Sequence, residues 1–145
     1  MTTNQRVAKA RELFLRGYNC AQAVAAAFGD LTQLDENTVL KMASSFGGGL
    51  GHMKEVCGAV SGMAIIAGLL YGDIDPADKA TKDAHYQRVQ AFALKFKDEF
   101  GSLICRDLLD RADKNPNKEE PYASRPCLVY VQSATEILDS WIKQQ

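Results

Sequence analysis

Four cysteines, Cys20, Cys57, Cys105 and Cys127, are the residues of this chain best suited to chemistry. A thiolate is both a nucleophile and a soft metal ligand, so four of them can cycle between dithiol and disulfide or hold zinc or an iron-sulfur cluster. Their separations of 37, 48 and 22 residues contain no Cys-x-x-Cys pair. Neither a zinc ribbon nor a thioredoxin-type motif is therefore present, and without Cys-x-x-Cys-His there is no covalent c-type haem. Any joint site must be assembled by the fold.

Three of the four, Cys57, Cys105 and Cys127, fall at the predicted starts of helices. Unpaired amides and the positive end of the helix dipole favour an anion there, which lowers a thiol pKa and makes Cys57 the expected most reactive sulfur. Cys20 reads as lying deep inside the first helix, without that help. His52, five residues before Cys57, is a candidate further metal ligand or proton partner. Against this stands the ordinary role of a lone cysteine as a small buried hydrophobe, so the chemistry depends on convergence.

The elements that must position these residues read as helices throughout. Val7, Ala10, Leu13, Phe14, Gly17, Cys20, Ala23, Val24 and Ala27 recur at three- and four-residue steps, predicting one amphipathic helix from Gln5 to Phe28 with Gly17 as a notch for a neighbour. A second helix follows from Asp35 to Phe46. Then come Gly47-Gly48-Gly49-Leu50-Gly51, which free the backbone for close approach, and a nearly all-apolar helix from Lys54 to Tyr71. Asp75-Pro76 predicts the start of a long charged helix reaching Phe100; His85 on it is expected to be solvated. Ser102 can cap a short helix from Leu103 to Leu109, Asp110 to Arg125 reads as a surface loop, and Pro126-Cys127 opens a last helix. Nothing alternates with period two.

With 17 basic against 18 acidic residues, the chain has no global field for nucleic acid or an anionic membrane, and the apolar helix is too short and too glycine-rich for a membrane span. Met1-Thr2-Thr3-Asn4-Gln5-Arg6 lacks the apolar core of a secretory signal, so a cytoplasmic location is expected. The glycine run lacks the order of a phosphate-binding loop, and Ser44, Ser45 and Ser61 have no hydrolase partners at recognisable spacing.

Cys57-Gly58-Ala59-Val60-Ser61-Gly62, with one lone cysteine before it and two after, resembles the motif of the C-GCAxxG-C-C family of proteins assigned to redox chemistry. Gly17-Tyr18-Asn19-Cys20-Ala21-Gln22, Phe46-Gly47-Gly48-Gly49 and Cys105-Arg106-Asp107-Leu108 extend the likeness over nearly the whole chain. The family label places glycine before the cysteine, whereas here Val56 precedes it and Gly58 follows. The resemblance implies redox or metal-binding roles for Cys20, Cys57, Cys105 and Cys127, and a cofactor-binding role for Gly58 and Gly62.

The expected fold is an all-α single domain over residues 1–145, five or six helices around the Gly-rich apolar helix. The expected function is electron transfer or thiol/disulfide chemistry at the cysteines, with an iron-sulfur cluster or zinc as optional cofactor and an unidentified redox partner. A homo-oligomer is left open. Two other functions are a metal-binding regulatory or structural module without turnover, and a helical interaction protein with inert thiols.

Overall fold

The computed structural model describes residues 1–112 and 126–145, and those residues form an all-α single domain with seven α-helices and no strand. The predicted surface loop from Asp110 to Arg125 lies, from residue 113 onward, outside the described residues. No helix among the described residues is long and apolar enough to cross a membrane.

The predicted first helix is two helices, α1 (Thr3–Leu15) and α2 (Cys20–Ala26). Gly17 is no packing notch: it adopts φ +104°, and a Cβ built on it would meet nothing within 4 Å. Its task is to turn the chain after α1, which few other residues can do in that conformation. Two residues later Asn19 opens α2 with a capping box: its side chain accepts from the Gln22 N–H, and Gln22 accepts from the Asn19 N–H. The apolar periodicity runs on across the break, so repetition alone hides it.

Arg6 departs from the pattern too. Placed by the sequence on the polar face, it is 3% exposed and pairs with Asp30 and with Asp139, itself 2% exposed. Arg6 also donates to the Ala27 carbonyl and lies over the Phe28 ring. One buried guanidinium thus ties α1 to the end of α2 and to α7 (Pro126–Lys143).

Next come α3 (Glu36–Ala43) and α4 (Gly58–Tyr71), the second beginning four residues later than the spacing predicts. A Cβ on Gly62 would lie 2.9 Å from the Ala21 carbonyl oxygen and 3.0 Å from the Val24 Cβ, so α2 and α4 pack almost backbone to backbone. The long helix α5 (Lys79–Phe100) is capped by Asp78, whose carboxylate accepts from the Thr81 N–H, and not by Asp75. Gly101 ends it with φ +83°. Tyr71, Phe92 and Trp141 meet edge to face where α4, α5 and α7 join. His85 is half-buried, with Nδ1 enclosed and unpartnered, and is not a solvated side chain. Finally α6 (Cys105–Ala112) starts two residues after the predicted position and runs past Leu109.

Two outcomes follow from this packing. Gly62→Leu must force a branched side chain into the α2 backbone, and is expected to cost about 1–3 kcal/mol or more in a denaturant melt. The carboxyl of Asp30 is held below its usual range by its hydrogen bond to Arg6. Burial pushes Asp139 up, but hydrogen bonds from Lys143 and Thr3 and the charges of Lys143 and Arg6 outweigh it, leaving it low. Depressed carboxylates stabilise the fold above the unfolded value of about 4, and that contribution is lost as pH falls through the folded values. A thermal melt series should therefore show stability dropping below about pH 4, less steeply in Asp139→Asn.

Candidate functional site: a four-cysteine cavity

All four cysteines sit at helix N-termini. Cys20 and Cys105 are the first residues of α2 and α6, Cys57 is the residue before α4, and Cys127 is the second residue of α7. Cys20 thus shares the placement that the sequence reading reserved for the other three. The Asn19–Gln22 capping box was the readable signal of it.

The four helix starts open on one cavity of about 410 Å³, and every one of the four cysteines lines it. Gly58 brings two of them together: a Cβ there would lie 3.3 Å from the Cys20 Cβ, 3.1 Å from the Ala21 nitrogen and 3.0 Å from the Phe46 oxygen. Gly58 lines the cavity, whereas Gly62 packs against α2 and is not among its lining residues.

Cys57 and Cys105 are positioned by a short antiparallel bridge between Val56 and Ile104. The Cys57 N–H donates to the Leu103 carbonyl (2.8 Å), and the Cys105 N–H donates to the Glu55 carbonyl (2.6 Å). Both cysteines lie one step from the bridged pair on opposite segments, which puts them on the same side of the ribbon. Tyr130 of α7 donates to the Leu108 carbonyl of α6 (2.9 Å), tying together the helices that carry Cys105 and Cys127.

The glycine loop frames the opening. Gly48, Gly49, Leu50, Gly51, His52 and Lys54 all have positive φ, between 54° and 75°. Three of them carry side chains, for which this region is unfavourable. Cross-loop bonds hold the conformation, including Lys54 N–H to the Gly48 carbonyl and Glu55 N–H to the Gly49 carbonyl. A Cβ on Gly49 would lie 2.7 Å from the Cys105 Cβ, so no larger residue fits beside that sulfur. His52 is exposed at the rim, and the half-buried Lys54 also lines the cavity. Sequence reading overlooked Lys54; its place before the bridge gives it access to the site.

Burial dominates the electrostatics. Cys57 is pushed up to about 12, chiefly by desolvation, while the amides of Ala59 and Val60 pull weakly the other way. This corrects the expectation of an activated thiolate: the helix dipole acts on Cys57, but exclusion from water acts more strongly. Cys20 is raised well above its ordinary value, first by a hydrogen bond with Cys127, then by burial and the other three sulfurs. Cys105 is raised by burial, against the nearby charges of Lys54 and Arg106. No disulfide joins the four cysteines, which are placed as thiols around a space. Among the described residues, no three His, Cys, Asp or Glu side chains are grouped as they stand to hold a metal ion.

These features define a helical protein with one four-cysteine cavity. The family model described as "Putative redox-active protein (C_GCAxxG_C_C)" matches residues 18–141, and the chain belongs to that family. Comparison with curated proteins gives no match, and comparison with solved structures gives none.

The cavity sets an order of accessibility. Cys127, half-buried at the opening, is expected to react with iodoacetamide faster than Cys57 at neutral pH, read by timed quenching and peptide mass spectrometry. Because a raised thiol ionises late, the Cys57 rate should still be climbing above pH 10. A Cys57 rate that levels off near pH 8 would refute its protonated state.

Proposed function

We propose that the protein is a thiol/disulfide redox protein in which Cys127 and Cys20 form the exchanging pair and Cys57 and Cys105 lie behind them. The observation that carries this reading is that Cys20 and Cys127, from different helices, line the same cavity, with Cys127 acting to hold the proton on Cys20. Contact between sulfurs is what a disulfide requires. The half-open cavity supplies access, which inert core thiols would lack.

Cys127 is the entering nucleophile: both sulfurs are half-buried, and Cys127 acts to keep the proton on Cys20. Cys20 resolves the mixed disulfide. The apolar wall around them, including Phe14, Leu108 and Tyr130, limits water at the reacting sulfurs.

A second reading has its own support: four thiols from four helix starts line one cavity, the number and type of donors an iron-sulfur cluster takes. Cys20, Cys57, Cys105 and Cys127 would hold it, with Lys54 beside an anionic centre. When bound, such a cluster supplies one-electron transfer. His52 is an optional outer partner at the rim.

One preparation tests both. Purified anaerobically, the protein is expected to be colourless and to lose two thiols on mild oxidation, with peptide mapping recovering a Cys20–Cys127 disulfide. That link should be absent in Cys127→Ser. Visible absorption with stoichiometric iron and sulfide would establish the cluster instead, and failure to form the Cys20–Cys127 link would overturn the exchanging pair.

A further inference from the structure

The cavity's charge does not match its cysteines. Among the described residues, none that lines it is Asp or Glu, while Lys54 lines it and His52 stands at its rim. Lys54 is half-buried, and no carboxylate among the described residues pairs with it. Arg106 lies close by, bonding to the Met53 carbonyl (3.4 Å), so a second cation flanks the same edge. Lys54 thus brings a positive charge with no carboxylate partner among the described residues to the cavity, where a ligand can supply the negative charge.

The backbone gives an independent indication. Lys54 is held at φ +63°, an uncommon conformation for a residue with a side chain. It is locked by two bonds, its N–H to the Gly48 carbonyl (3.0 Å) and the Arg106 N–H to its own carbonyl (3.2 Å). Strain of this kind gathers at ligand-contacting positions. Here it fixes the root of a lysine that lines the cavity.

We propose that the cavity accepts small, negatively charged disulfides with an apolar or aromatic body, held by Lys54 against the walls formed by Tyr18, Leu108 and Tyr130. This rests on the thiol/disulfide reading above. A cavity of this volume suits a small molecule. In the first step the Cys127 sulfur attacks one sulfur of R–S–S–R. The S–S bond breaks, and R–S⁻ leaves to take up the proton that Cys127 released. Cys20 then attacks the Cys127 sulfur of the mixed disulfide, expelling the second R–S⁻, which gains the Cys20 proton. Two electrons pass from the cysteine pair to the disulfide, yielding two R–SH and a Cys20–Cys127 bond.

The test uses the reduced full-length chain in stopped flow with three probes: dianionic 5,5′-dithiobis(2-nitrobenzoate), neutral 2,2′-dithiodipyridine and dicationic cystamine. Each rate is divided by that of 2-mercaptoethanol to remove intrinsic reactivity. The normalised anionic-to-cationic ratio should be about tenfold or more, within the usual range of electrostatic attraction, and should shrink as salt is added. Lys54→Met should reduce it severalfold, and Lys54→Arg should retain it. Equal normalised rates, or a preference that survives both salt and Lys54→Met, would overturn this proposal while leaving thiol exchange standing. Absence of reaction with all three probes would instead refute the thiol/disulfide reading itself.

Discussion

Where Gly58 and Gly62 face α2, there is no room for a single additional carbon: built Cβ atoms would fall 3.1 Å from the Ala21 nitrogen and 2.9 Å from its carbonyl oxygen. That contact sets the distance between the starts of α2 and α4. Because Cys20 begins one helix and Cys57 precedes the other, it also sets the distance between their thiols. The glycines of the motif therefore act on the chemistry through backbone separation. A side chain at either position would move a helix, and with it a cysteine.

The other half of the site depends on the loop that leads into α4. Its left-handed residues are unfavourable in isolation and persist because cross-loop bonds and the Val56–Ile104 bridge over-determine them. The bridge carries the loop's geometry to the start of α6, so Cys57 and Cys105 are fixed by the same few hydrogen bonds. Close packing on one side and a strained loop on the other bring together residues far apart in sequence.

Much of this was legible in the residues, and the failures have identifiable causes. Apolar periodicity located the helices. The break at Gly17 was masked because the apolar stripe continues through it, although Asn19 and Gln22 carry a cap signature. Arg6 could not be read as buried, since its partners Asp30 and Asp139 lie 24 and 133 residues away. The helix-start argument for Cys57 was right about placement and wrong about consequence. Dipole stabilisation is local and visible in sequence, whereas desolvation depends on what the rest of the chain lays over the sulfur.

That balance gives the site an order of events on the thiol/disulfide reading. The largest influence holding the proton on Cys20 is its hydrogen bond with Cys127, followed by burial and the Cys127 charge. On this reading Cys20 stays protonated beside Cys127, and Cys127 is the sulfur left to attack. Once Cys127 is in a mixed disulfide it can no longer carry charge, and its hold on the Cys20 proton is released. The resolving thiol is then released to ionise when its attack is required, not before. A pair of equivalent, exposed thiolates would have no such sequence and would be open to oxidation at either sulfur. Burial, which costs the site reactivity at rest, is what lets a change of charge on one cysteine govern the other.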